Sequence, residues 1–260
     1  MNAAIATPLL EIERLRVVAG KRVLIAGLSL TVHAGDVWCV LGANGAGKTL
    51  LLHTLAGLRP SDGGSITLAQ RPLASWRSAE AARVRGFLPQ FNAHAFPTTV
   101  TEAVLMGRHP YLSRWAWEDA ADTAHAHAAL SGVGLEGFAA RDVTTLSGGE
   151  RQRAAIATLL VQDPPLMLLD EPIAHLDLKH QLRVLDIVVD LARREHAIVL
   201  SIHDLTLARR CATHALLLHG DGRAQAGRVD EVMRDAALSD AFACRIEHVD
   251  ANGRPVYVAQ

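Results

Sequence analysis

Residues 42–49 read GANGAGKT and match the spacing G-x-x-x-x-G-K-[ST] at every fixed position. Glycines at 42, 45 and 47 let the backbone curl so that successive N–H groups point at phosphate oxygens. Ala43, Asn44 and Ala46 complete the loop. A helix beginning near Lys48 adds the positive end of its dipole. Lys48 is then spaced to reach the β- and γ-phosphates, and the Thr49 hydroxyl to ligate Mg²⁺. A second string, PLMLLDEP, places Asp170 and Glu171 directly after the apolar run Leu166–Leu169. Charges at the carboxyl end of a buried strand stand where open α/β sheets bind ligands. Asp170 is suited to hold Mg²⁺, and Glu171 to orient and polarise an attacking water. Either string alone could be an ordinary turn; together they define a P-loop NTPase that binds ATP and Mg²⁺.

The elements that must position these residues are legible around them. WCVLG at 38–42 reads as a buried strand running into the glycine loop, and KTLLLHTLAGL as the helix after it. LLEIERLRVV, KRVLIAG and LSLTV read as three short β-segments before it, and GGSITLA as a strand after a Pro-Ser-Asp-Gly-Gly turn. VRGFLPQ reads as a strand that stops at Pro89. The stretch from about 91 to 145 is rich in Ala and His, with helical spacing in TVTEAVLMG and WEDAADTAHAHAALSGV, and reads as a helical insertion. Strand–helix alternation then resumes with PLMLLD, a long helix over 178–194, AIVLSI, a helix over 204–212 and HALLLHG. That alternation predicts a parallel sheet wound with helices. The tail from 221 reads as a hairpin, small helices and a last strand, PVYVA.

Composition narrows the function classes. The 260 residues suffice for one large α/β domain with an inserted subdomain. Aromatics are 4% of the chain, which argues against a stacking platform for single-stranded nucleic acid. The net charge of -1 gives no global field toward nucleic acid or anionic lipid. Cys39, Cys211 and Cys244 are scattered, with neither metal nor disulfide spacing, which suits a reducing compartment. No apolar run approaches the roughly 20 residues of a membrane span, and MNAAIATPLL lacks a basic secretory start. The expectation is a cytoplasmic chain that meets a membrane only through partners.

TLSGGERQRAAIA at 145–157 narrows the NTPase further, because LSGGE resembles the signature of ABC ATPases. Ser147 and Glu150 also form S-x-x-E, a helix capping box. The resemblance spans nearly the whole chain. It implies a P-loop fold with a RecA-like core, an antiparallel β subdomain and an α-helical subdomain inserted at approximately 91–160. It also implies that Ser147, Gly148 and Gly149 bind the γ-phosphate held by the opposite subunit of a homodimer. Gln90, in FLPQ, resembles the glutamine that senses Mg²⁺ and touches the membrane subunit. Asp177, in HLD, resembles the residue that crosses the dimer interface, and His203, in LSIHD, the switch histidine on the γ-phosphate. AFPTTVTEAVLMGRHPYLSRW at 95–115, GGERQRAAIATLLVQDP and HLDLKHQ resemble the ATPases of importers for ferric siderophores, haem and cobalamin. RHPYLSRWAW leans toward cobalamin. Two transmembrane permease subunits, a periplasmic or surface substrate-binding protein and a place on the cytoplasmic face of the inner membrane follow as what the resemblance implies. The segment from Gln90 to about Arg114 is then the expected contact with the permease.

An exporter ATPase would carry the same chemistry with the opposite direction of transport, since fold does not fix direction. A soluble ABC ATPase for DNA repair would carry a long coiled coil between phosphate loop and signature; here about a hundred residues separate them, without heptads. Three positions depart from the family pattern. Residue 173 is Ile where Thr or Ser usually follows Glu-Pro, and Leu50 stands where a second hydroxyl often follows Thr49. No Phe, Tyr or Trp precedes Trp38, and Ala19 occupies the place of the aromatic that commonly stacks on adenine. His125 and His127 lie two apart on one expected helix, face different directions and have no zinc-type spacing, so they read as solvated or partner-facing.

Overall fold

The computed structural model describes residues 7–90, 97–113 and 117–260. The chain opens with two long strands, β1 (Leu10–Ala19) and β2 (Arg22–Val32), then β3 (Val37–Leu41) and helix α1 (Lys48–Leu55). Next come β4 (Ser65–Leu68), β5 (Arg71–Pro72), α2 (Ser78–Val84) and β6 (Arg85–Leu88). Helices α3 (Val100–Leu105), α4 (Ala120–Gly132) and α5 (Gly148–Gln162) lead to β7 (Leu166–Leu169), α6 (Leu178–Arg193) and β8 (Ala197–Ser201). The last part holds α7 (Leu205–Cys211), β9 (His214–Leu218), β10 (Ala224–Arg228), α8 (Val229–Val232), α9 (Asp235–Phe242), β11 (Ile246–Asp250) and β12 (Pro255–Ala259).

The central sheet runs β10-β9-β3-β8-β7-β6, parallel from β9 through β6, with β10 antiparallel at one edge. Its inner strands β3, β8 and β7 are buried along their whole length and almost wholly apolar because both of their faces are covered. Successive side chains alternate between two cores. Val37, Cys39 and Leu41 of β3, with Met167 and Leu169 of β7, join the cluster formed with α3–α7. Trp38 and Val40, with Leu166 and Leu168, join the cluster formed with α1, β1 and β2. The parallel order brings the carboxyl ends of β3, β8, β7 and β6 side by side, and the loops after them carry residues 42–49, His203, Asp170–Glu171 and Gln90. That is where an open α/β sheet places a ligand.

The second sheet, β2-β1-β4-β5, is antiparallel. Here the expectation of three short segments before residue 33 is corrected. KRVLIAG and LSLTV are one strand, β2, because Gly27, with φ 84°, distorts the pairing with β1 locally without ending it. The tail adds a strand that sequence reading did not separate: β11 pairs with β12 as an antiparallel hairpin.

Between β6 and β7, α5 packs against both α3 and α4. Arg108 ties this region together: its Nε donates to Asp122 of α4 at 2.7 Å. The Tyr111 hydroxyl donates to the Gln162 carbonyl at the end of α5, at 2.8 Å. The MGRHP string thus serves packing as well as family likeness. Of the segment expected to contact a permease, residues 91–96 and Arg114 lie outside the described residues, as does Trp115 of RHPYLSRWAW.

Leu168 is fully buried in β7, three residues before Glu171. Leu168→Ala should destabilise the chain by about 2–5 kcal/mol through lost transfer energy and a residual cavity, read as a lower urea midpoint with an unchanged slope.

Candidate active site

The phosphate loop takes its shape from glycine. Gly42, Gly45 and Gly47 have φ of 145°, 76° and 106°, which side-chain-bearing residues rarely adopt. At Gly42 space matters too, since a Cβ would lie 2.5 Å from the Leu218 carbonyl oxygen. Gly47 caps α1, so the helix begins at Lys48 as the sequence predicts. The Lys48 ammonium donates to the loop's own carbonyls, Gly42 at 2.7 Å and Ala43 at 3.2 Å. Burial pushes its pKa down, and the nearby carboxylates of Glu171 and Asp170 push it back only in part.

The acidic pair sits on a hydrogen-bonded relay. Asp170 is only 1% exposed. Its Oδ1 accepts from the Ser201 hydroxyl at 2.7 Å, and that hydroxyl oxygen accepts the Glu171 backbone N–H at 2.8 Å. Asp170 Oδ2 is buried without a protein partner. A hard cation or its water shell satisfies such an oxygen, so the residues fit Mg²⁺. Glu171 has φ 50°, a left-handed conformation costing on the order of 1–3 kcal/mol for a residue with a side chain. That backbone turns its carboxylate into the cleft, where Oε2 accepts from Gln90 Nε2 at 2.9 Å and Oε1 contacts His203 Nε2 at 2.6 Å. Gln90 and His203, 113 residues apart in sequence, thus meet on one carboxylate. The cleft is about 580 Å³, and its lining includes Asn44, Gly45, Gly47, Lys48, Thr49, Gln90, Glu171 and His203.

Other expected site residues lie elsewhere. Ser147 is exposed at the N-cap of α5, with the capping box intact: its N–H donates to Glu150 Oε2 at 2.7 Å, and the Glu150 N–H to its Oγ at 3.3 Å. Gly148 and Gly149 open that helix. Asp177 is exposed and caps α6, accepting from the His180 N–H at 2.9 Å. None of these four lines the cleft around Lys48. Ile173 is buried in the larger core. His125 and His127 are exposed on α4, and among the described residues no group of three or more His, Cys, Asp or Glu is placed to hold a metal.

Sequence reasoning passed over two contributors. Ser201 was visible only as a polar residue ending the apolar run AIVL. Gln152 donates to the Pro172 carbonyl at 3.3 Å, tying the signature helix to the loop after Glu171; no local pattern announces that contact. Arg22 and Leu24 line the same cleft as Ala19.

Comparisons with known proteins identify the family. The family model described as "ABC transporter" matches residues 25–174. The chain is 41% identical over 230 residues to a hemin import ATP-binding protein of Streptomyces coelicolor, covering 88% of this chain and 81% of that one. It is 36% identical to a petrobactin import ATP-binding protein of Bacillus anthracis, covering 96% and 92%. A cobalamin import ATP-binding protein of Halobacterium salinarum is 41% identical, over 88% of this chain and 57% of the relative. Among solved structures, a transporter described as metal-chelate type, in an inward-facing conformation, superposes with TM-score 0.84 at 28% identity, covering 97% of this chain and 98% of that one. The chain belongs to the ABC transporter family. Within it, the chain is an ATP-binding subunit, a class of ATPase that works with transmembrane partners, and among the described residues no helix is long and apolar enough to cross a membrane.

Ser201→Ala would leave Asp170 Oδ1 and the Glu171 N–H without their shared partner. The expected loss is about 1–3 kcal/mol, because buried polar groups would be stranded. A thermal melt of the nucleotide-free protein reads it, and Ser201→Thr should recover part of the loss.

Proposed function

We propose that this chain binds ATP with Mg²⁺ in the cleft around Lys48, hydrolyses it with Glu171 as the base, and does so as a homodimer. Its two permease partners import a metal chelate: a ferric siderophore, haem or cobalamin. A substrate-binding protein would deliver the cargo, and the ATPase would sit at the cytoplasmic face of the inner membrane. The observation that carries the reading is an asymmetry: Lys48, Thr49, Glu171 and His203 line one cleft, with the buried Asp170 close enough to Lys48 to act on its charge, whereas Ser147, Gly148, Gly149 and Asp177 lie outside it. A second copy can then complete the site from outside. The import direction and the cargo class rest on the relatives' names and on the family-like strings at 95–115 and 175–181.

The loop of residues 42–47 wraps the triphosphate with backbone N–H groups, and Lys48 exchanges its two carbonyl partners for phosphate oxygens. Thr49, Asp170 and Gln90 would hold Mg²⁺, which when bound neutralises charge between the β- and γ-phosphates. Glu171 accepts a proton from the attacking water once one carboxylate oxygen is released from Gln90 or His203. His203 then turns to the γ-phosphate. Ser147, Gly148 and Gly149 of the second copy close over that phosphate with the N-terminus of α5, and Asp177 lies along the joint. ATP thereby favours the closed dimer, and loss of the γ-phosphate releases it. In this reading the helices inserted between β6 and β7, within approximately 91–160, form the subdomain that carries the movement to the permease, with the half-exposed Met106 on its surface.

Glu171→Gln keeps the shape but turns one of the two acceptor oxygens into an amide donor, which removes the base. Hydrolysis should fall by roughly 10²–10⁴ while ATP binding survives and an ATP-dependent dimer becomes visible on gel filtration. Wild-type turnover in that variant would contradict the assignment.

A further inference from the structure

The cleft has an end that the phosphate chemistry does not use. Beyond the loop its walls are Ala19, Arg22 and Leu24, and none of its lining residues is Phe, Tyr or Trp. Ala19 and Arg22 are register partners across the β1–β2 turn, where Gly20 has φ 59°. Ala19 offers one methyl group. Leu24 is buried beneath the phosphate loop, with its side chain against Gly47, where an added Cβ would lie 3.2 Å away. Val18 does not line the cleft. Arg22 is therefore the largest flat group on that wall.

Arg22 is also held in place. Its Nε donates to the Gly220 carbonyl at 3.0 Å, in the loop after β9. Gly220 has φ 73°, and a Cβ there would lie 3.2 Å from Ala46 Cα in the phosphate loop and 3.3 Å from Arg22 Nη2. The guanidinium is thus tethered to the same glycine that the phosphate loop packs on. Among the described residues no carboxylate pairs with Arg22. A weakly hydrated planar cation, fixed at one nitrogen and without an acidic partner, is suited to stack on a π-system.

We propose that Arg22 is the base-binding residue of this ATPase, its guanidinium stacking on the purine of the bound nucleotide where Ala19 leaves the wall without an aromatic ring. This rests on the nucleotide-site reading above. Stacking engages the ring face and not the base edge, so Arg22 serves adenine and guanine alike.

The test is calorimetric titration of the full chain with Mg²⁺ and three probes: ATP, GTP and inorganic tripolyphosphate, which has no base. Wild type should bind ATP and GTP within roughly tenfold of each other. Arg22→Ala should weaken both nucleotides by about tenfold, in line with loss of one stacking contact, and leave tripolyphosphate unchanged. Adding Ala19→Tyr to that variant should restore ATP and GTP affinity, again without moving tripolyphosphate, which separates stacking from any effect on folding. Unchanged ATP affinity in Arg22→Ala overturns the proposal. So does equal weakening of tripolyphosphate, which would make Arg22 a phosphate ligand, or a wild-type preference for ATP of a hundredfold or more, which would place base reading elsewhere. Lys48→Ala is the separate control: if all three probes still bind it as tightly as wild type, the nucleotide-site reading itself fails, whatever Arg22 does.

Discussion

A buried carboxylate oxygen without a hydrogen-bond partner is costly unless something outside the chain completes it. Asp170 holds such an oxygen at the carboxyl edge of the central sheet, and much of the surrounding structure follows from keeping it there. The parallel order of β3, β8, β7 and β6 brings four loops to one edge. Ser201, ending β8, fixes the other oxygen of Asp170 and the backbone of Glu171 at once. Glu171 adopts a left-handed backbone that an ordinary loop would avoid, and its carboxylate gathers Gln90 and His203. Strain and an unsatisfied charge stand side by side, and a cation would satisfy the charge.

The surface away from this edge has a different logic. The capping boxes at Ser147 and the N-cap at Asp177 satisfy the backbone of α5 and α6 within the chain. Their side chains therefore need no second copy in order to fold, yet the exposed N-terminus of α5 retains the field of a helix end. In the proposed dimer, that separation leaves the cleft around Lys48 open for a second copy to complete. Lys48 is poised similarly: its ammonium rests on loop carbonyls that a phosphate can replace.

Much of this was legible from residue order alone. The phosphate loop, the Asp170–Glu171 pair and the Ser147–Glu150 capping box are local patterns whose chemistry requires fixed spacing, and each has the local form its spacing predicts. The alternation of apolar strands and helices likewise carried the parallel sheet. Less visible were contacts whose partners lie far apart. Ser201 reads as an unremarkable end to an apolar strand until the sheet places β8 beside β7. The unity of β2 was obscured because Gly27 looks like a break in sequence and is a local irregularity in a paired ladder. The anchoring of Arg22 has no local signal, since its partner, the Gly220 carbonyl, comes from the loop after β9.

The central claim is that each active site is assembled from two copies, with Lys48 from one and Ser147 from the other. Mixing two inactive variants tests it most directly. Lys48→Ala and Ser147→Arg should each lack ATPase activity as homodimers, and their mixture should regain partial activity through heterodimers that hold one intact site. Heterodimers that form, verified by differential tags, but hydrolyse no ATP would contradict the account.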